Sequence, residues 1–224
     1  MTASLRSASL RESVCRVGRS LFERGLAHIT AGNISVRLPD GAGFLITPTD
    51  ACLGFLQPDA LAWVDAEGRR QGGEPASKTL ALHRRIYAGD PAAHCVLHTH
   101  STHLVALTLA GVWRPEEVLP PITPYFVMKV GRVPLVAYRR PGDPAVVDEV
   151  AALMADAAQR GERLRGVLCE RLGPVVWQHS PDAAMALLEE LEETARLWLM
   201  NPQRPAPLSP AQVDELHHVF GDRA

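Results

Sequence analysis

The chain has 224 residues, with 23 lysines and arginines against 25 aspartates and glutamates, and is 46% hydrophobic and 21% charged. A net charge of −2 excludes a general electrostatic pull toward nucleic acid or an anionic membrane, though not a local basic pocket for a small anion. Length and apolar content suit one domain with a substantial core.

The opening MTASLRSASLRESVCRV lacks the apolar core of a secretory signal, and no run of about 18 apolar residues follows to span a membrane. Cys15, Cys52, Cys95 and Cys169 are far apart and form no CxxC, which reads as free thiols in a reducing compartment. A cytoplasmic protein is expected. Residues 8–25 place Leu10, Val14, Val17, Leu21 and Phe22 on one helical stripe, with Gly25 as the stop. NISVRL alternates Ile34, Val36 and Leu38 with polar residues, and GFLIT follows as a second strand that turns out through PTD. LAWVDAEGRR reads as a strand and hairpin turn. SKTLALHRRIYAGDP reads as a helix capped by Ser77 and closed near Gly89. AHCVLHTH is a strand and STHLVALTLAG the helix after it. PPITPYFVMKVGRVPLVAYRRPGDP is expected to hold short strands between proline-rich turns. A helix over PAVVDEVAALMADAAQRG, one or two strands over GVLCERLGPVVWQ and a long helix over PDAAMALLEELEETARLWLMN complete the pattern. The expected fold is a single α/β domain over residues 1–202, a mixed sheet covered by helices, with a peripheral tail at 203–224.

CVLHTHSTHL holds three histidines within six residues. Positions i and i+2 of a strand share a face, so His98 and His100 project together and can chelate Zn2+ or another divalent transition metal. An HxH also arises by chance; its place at a strand end that runs into a helix favours a site. His103 falls in the first turn of the next helix and points elsewhere. Three small polar turns add an anion signal. TAGNISVR sets Gly32 and Asn33 before a strand, TPTD ends a strand with hydroxyls, and PASKT opens a helix with Lys78 near its N-terminus.

The order GNISVR, TPTD, PASKT, HTHSTHLVAL, TPYFVMKVGRVPLV and YRRPGDP resembles the class II aldolase/adducin family over nearly the whole chain. The SK before the helix, the PPITPYFVMKVGRVPLV block and RPGDP resemble its 3-oxo-tetronate 4-phosphate decarboxylase branch. The resemblance implies a class II aldolase-like three-layer α/β fold, one divalent ion with Zn2+ expected, a phosphorylated sugar-acid substrate, and a homotetramer with sites near subunit interfaces. It makes His98 and His100 metal ligands and sets Gly32, Asn33, Thr49, Ser77 and Lys78 around the phosphate. Tyr125 would reach in from a neighbouring subunit, and Thr79, Lys78 and Tyr125 are the expected catalytic positions. Three departures stand out. Thr79 replaces the family's Glu four residues before His83. Leu172 replaces the histidine of an NHG turn, leaving Glu170, Cys169, His179, another chain or the substrate to complete a metal site. Asp50 replaces a turn glycine.

An aldolase must remove a proton next to a carbonyl, and losing the Glu harms that step. Loss of CO2 from a β-keto acid delivers electrons to the same enediolate without a base and needs only a later proton, from water or Lys78. Thr79 therefore fits decarboxylation better than aldol cleavage. A fuculose- or ribulose-phosphate-type aldolase and a non-catalytic adducin-like homologue are the alternatives.

Overall fold

A computed structural model describes residues 3–220, with side chains for residues 7–39 and 41–220. In chain order the elements are α1 (Ala3–Glu23), β1 (Asn33–Arg37), β2 (Phe44–Ile46), β3 (Ala62–Val64), β4 (Arg70–Gly72), α2 (Leu80–Gly89), β5 (Cys95–His98), α3 (Thr102–Ala110), α4 (Pro124–Lys129), β6 (Leu135–Val136), α5 (Ala145–Gln159), β7 (Gly166–Cys169), β8 (Gly173–Gln178), α6 (Pro181–Met200) and α7 (Pro210–Phe220). The strands form one sheet in the order β4-β3-β2-β1-β5-β8-β7-β6. The β6–β7 pair is parallel and the other pairs are antiparallel, so the sheet is mixed, as expected.

Alternation along the strands separates two cores. Ile34, Leu45, Leu97, Leu168 and Val176 meet Val17 and Leu21 of α1, Leu104 and Leu107 of α3, and Leu187, Leu188 and Leu191 of α6. On the other face, Val64, Val96, Val167, Val175 and Trp177 meet Leu82, Ile86 and Tyr87 of α2 and Val150 and Ala157 of α5. The result is three layers, helices–sheet–helices. Truncating a fully buried leucine such as Leu97 to alanine in such a core costs about 2–5 kcal/mol. No helix among the described residues is long and apolar enough to cross a membrane.

Two local expectations are corrected. Residues 120–144 hold a helix and only a two-residue strand. Pro124 sits at the first helical position, and Thr123 Oγ1 accepts from Phe126 N at 3.1 Å; a proline there and a hydroxyl cap start helices rather than strands. Ser77 is not the cap of α2. The helix begins at Leu80 with Thr79 as the flanking residue, while Ser77 N donates to Thr47 O at 3.1 Å, which ties the Ser77 backbone to the end of β2. In the tail, no residue of α7 is buried, and Leu208 N donates to Pro121 O at 2.8 Å.

Candidate active site

β5 lies between β1 and β8, and its last residue, His98, stands opposite Asn33 on one side and Val175 on the other. His98 is 5% exposed, and its Nδ1 lies 2.8 Å from the carbonyl oxygen of Pro174. A carbonyl only accepts, so Nδ1 carries the proton and Nε2 keeps its lone pair. Burial lowers the His98 pKa to about 4, helped by the neighbouring His100 and opposed by the Pro174 carbonyl. The imidazole is therefore neutral at pH 7.

His100 does not continue the strand. β5 ends at His98 because the β7–β8 turn crosses it there: Gly173 has φ +122°, and a Cβ on it would lie 2.2 Å from Thr99 O and 3.1 Å from His100 Cα. The two rings still meet, with centroids 5.0 Å apart at 60°. Burial, then His28, lowers the His100 pKa.

Of the candidate phosphate residues, Gly32 and Asn33 stand at this end of the sheet, Thr49 and Ser77 belong to the neighbouring turns, and only Lys78 lines the pocket described below. Gly32 has φ +96°, and a Cβ there would stand 2.6 Å from His98 O, so only glycine lets the turn press against β5. Asn33 is buried opposite His98, and its acceptor Oδ1 has no hydrogen-bond partner, an exception among buried polar atoms. The Thr47–Thr49 turn is tied to the segment before α2: Thr47 O accepts from Ser77 N, and Thr49 N donates to Pro75 O at 3.0 Å. Ser77 Oγ is 3.0 Å from Thr79 Oγ1. Asp50 has φ +56°, which accounts for the family's glycine at that position; aspartate is among the few other residues that tolerate it.

Beside these turns a pocket of about 160 Å3 is lined by Lys78, Thr79, His83, His98, Arg139, Arg140, Glu170 and Leu172 among others. Lys78 is exposed and forms no ion pair among the described residues. Arg139 and Arg140, loosely paired with Glu149 and Asp143 at 3.6 and 3.7 Å, bring two more cations. Sequence reasoning missed both; the signal was two adjacent arginines in the Pro-Gly loop YRRPGDP. His83 is fully buried, with Nδ1 2.8 Å from Ser35 Oγ and Nε2 3.4 Å from Thr79 Oγ1. Burial, then His98, lowers its pKa to about 3. It is a neutral hydrogen-bonding post, not an acid, at pH 7.

Tyr125 is 62% exposed on α4. It lines a separate groove of about 660 Å3 with Arg24, His103, Lys129 and Glu189, so the chain does not bring its own Tyr125 into the His98 pocket. His103 does point elsewhere. Its Nδ1 is 2.8 Å from Glu192 Oε1, and that buried carboxylate also accepts from His103 N and Leu104 N, satisfying the first free amides of α3.

Two imidazoles on one tetrahedral ion, at Zn–N of about 2.0–2.1 Å, hold their ring centroids about 5 Å apart. His98 and His100 match that separation, and the tautomer of His98 leaves Nε2 free, so these residues fit a divalent ion as a two-imidazole chelate. The remaining donors named from sequence do not join them. Glu170 Oε2 accepts from Tyr138 N at 2.9 Å. His179 lies beyond Gln178, at the opposite end of β8 from Val175, the partner of His98. Burial pushes the Cys169 thiol up to about 12. No three His, Cys, Asp or Glu side chains among the described residues form a ready metal cluster.

The sequence profile of the Class II Aldolase and Adducin N-terminal domain matches residues 12–199. The chain belongs to the class II aldolase/adducin family. A Cupriavidus necator protein named 3-oxo-tetronate 4-phosphate decarboxylase is 55% identical over 221 residues, 96% of this chain and 98% of the relative. The crystal structure of YgbL from Escherichia coli superposes with a TM-score of 0.85 at 39% identity, covering 94% of this chain and 98% of that one. The l-fuculose-1-phosphate aldolase of Thermus thermophilus superposes with a TM-score of 0.69 at 29% identity, covering 85% and 93%. Aldolases and decarboxylases of this kind are carbon–carbon lyases, and the chain is a lyase of that class. Members of the family generally depend on a divalent metal.

Proposed function

We propose that this chain decarboxylates a 3-oxo-tetronate 4-phosphate to dihydroxyacetone phosphate and CO2. The observation that carries the reading is Thr79. In the position of the aldolases' carboxylate base stands a hydroxyl 3.4 Å from His83 Nε2, in a chain 55% identical to a protein named for this decarboxylation. The C1–C2 bond breaks, its electrons form the C2=C3 enediolate, and C2 then takes one proton. No base is required at any step.

Lys78, with Ser77, Gly32, Asn33 and Thr49, binds the phosphate beside α2, where the free amides and dipole of the helix favour an anion. Arg139 and Arg140 add positive potential for the second anion of the substrate, its carboxylate. Thr79 and His83 offer neutral hydrogen bonds next to the reacting atoms, and Lys78 or a water held near it returns the proton to C2. His98 and His100 hold a divalent ion, Zn2+ by donor chemistry; such an ion supplies Lewis acidity for charge developing on oxygen. The active assembly is a homotetramer in which Tyr125 serves a neighbouring subunit's site.

The test is an assay of the purified chain for CO2 and dihydroxyacetone phosphate from a 3-oxo-tetronate 4-phosphate, beside aldol cleavage of a ketose phosphate. Release of CO2 without aldol cleavage is expected, and Thr79→Glu should not raise it. Aldol cleavage in Thr79→Glu with no CO2 from the unaltered chain would identify a disabled aldolase. Silence in both assays would favour the adducin-like alternative.

A further inference from the structure

Thr79, His83 and Tyr87 recur every four residues, along one face of α2 and the turn that opens it. That face meets Ser35, a fully buried serine in the middle of β1. With Ser77 these side chains form one line of hydrogen bonds from the core to the pocket. Tyr87 Oη is 2.8 Å from Ser35 Oγ, and Ser35 Oγ is 2.8 Å from His83 Nδ1. His83 Nε2 is 3.4 Å from Thr79 Oγ1, and Thr79 Oγ1 is 3.0 Å from Ser77 Oγ. Tyr87, Ser35 and His83 are buried, while Thr79 lines the pocket. The inner end is held in place: Phe44 stacks on the Tyr87 ring, centroids 4.8 Å apart at 3°, and the Arg37 guanidinium lies over the same ring at 4.9 Å.

Counting protons sets the direction of every bond in the line. Each hydroxyl brings one proton, and a buried imidazole flanked by hydroxyls, with no carboxylate partner, is neutral and brings one. Five groups therefore bring five protons to four contacts. Ser35 Oγ is the only side-chain or backbone acceptor bonded to the Tyr87 hydroxyl among the described residues, and burial raises the Tyr87 pKa, so the phenol keeps its proton. The phenol thus donates to Ser35, Ser35 donates to His83 Nδ1, and His83 Nε2 carries the proton that faces Thr79. The opposite direction would leave the phenol proton buried without an acceptor, a costly arrangement. Whichever of Thr79 and Ser77 donates to the other, one hydroxyl proton is left over at the pocket end.

We propose that Tyr87, Ser35 and His83 are positioning residues: they orient the Thr79–Ser77 hydroxyl pair so that it presents a proton donor, not a lone pair, to an anionic oxygen of the substrate. This rests on the reading of the substrate as a phosphorylated sugar acid, whose phosphate and carboxylate both offer such an oxygen. The same orientation denies the site a base at Thr79, because the His83 nitrogen that faces its hydroxyl is already protonated. Nor is the line a proton source, since its inner end would become a buried tyrosinate.

The imidazole nitrogen NMR shifts of the full chain report each tautomer, and His83→Gln identifies the His83 signals. His83 should carry its proton on Nε2 alone. In Tyr87→Phe, which keeps the stacked ring, the two directions of the line become comparable and the tautomers should mix. A proton on Nδ1 in the parent chain, or an unmixed Nε2 tautomer in Tyr87→Phe, would overturn the proposal. Calorimetric titration with inorganic phosphate and with an unphosphorylated tetronate then reads the donor. Thr79→Val combined with Ser77→Ala should weaken at least one of these anions about tenfold or more, the loss of a hydrogen bond to a charged group, and the anion affected is the one the pair meets. Thr79→Ser should retain the affinity, and Tyr87→Phe should lose about twofold as the competent population falls to about half. Equal affinity for both anions in the double variant, or no binding of either by the parent, would overturn the donor role. The decarboxylase reading is judged separately by CO2 release.

Discussion

Gly32 and Gly173 press on the same strand end from opposite sides. Each has positive φ, and each approaches a carbonyl of the His98–Thr99 segment more closely than any Cβ allows. Their neighbours differ. Beside Gly32 stands Asn33, buried, polar and without a partner for Oδ1; beside Gly173 stands Leu172, which lines an otherwise largely apolar wall of the pocket with Val146, Val147 and Val175. The β7–β8 turn keeps a close backbone approach to the end of β5 while presenting an apolar side chain to the pocket. Backbone geometry and site chemistry are separable: a close approach is enforced by sterics over several residues, whereas a donor is lost in one substitution.

Removing the shared centre of that comparison has the largest expected effect. His98→Ala with His100→Ala should abolish stoichiometric metal, a loss on the order of 100-fold or more in affinity, measured by elemental analysis and Zn2+ titration. Unchanged metal content would show that neither imidazole is a ligand. On the Gly32 side, Lys78→Ala should weaken a phosphorylated substrate about tenfold or more, from a charged contact of about 1.5–3 kcal/mol, and hardly affect the unphosphorylated analogue. Equal losses for both compounds in KM would remove Lys78 from the phosphate. On the Gly173 side, Leu172→His should restore a donor and tighten Zn2+ by about tenfold; no gain would mean that the turn no longer aims its side chain at His98.

The smallest effect is on stability against pH. His83 titrates near 3 in the folded chain, lowered first by burial and then by His98, against an ordinary value of 6.5. Between those values the unfolded chain binds more protons, so stability rises with pH. It is fully present above about pH 6.5 and is lost as the pH falls toward 3, at a limiting slope on the order of 1 kcal/mol per pH unit from this one group. Chemical denaturation of the metal-free protein between pH 7 and 5 measures it, and His83→Gln should flatten the curve. An identical slope in the variant would assign the acid sensitivity to other groups.

Much of the frame was legible in the sequence. The apolar period marks α1, α5 and α6, alternation marks β1, an apolar run marks β5, and the HxH at a strand end and the Gly-Asn turn lead directly to His98 and Asn33. These signals are local, set by helical and strand periods and by the few residues that accept positive φ. The helix at Pro124–Lys129 was legible too, through Thr123 and Pro124, but proline-rich flanks masked it. Other features had no local signal. That His98 carries its proton on Nδ1 depends on the carbonyl of Pro174, 76 residues away. That His103 is a packing residue depends on Glu192, 89 residues away. That His28 sits beside His100, and Arg139 and Arg140 beside His98, follows from which strands pair and how the turns cross them. Periodicity and turn chemistry are short-ranged and can be read along the chain. Tautomers, buried partners and the convergence of distant loops are products of packing, and only the tertiary structure decides them.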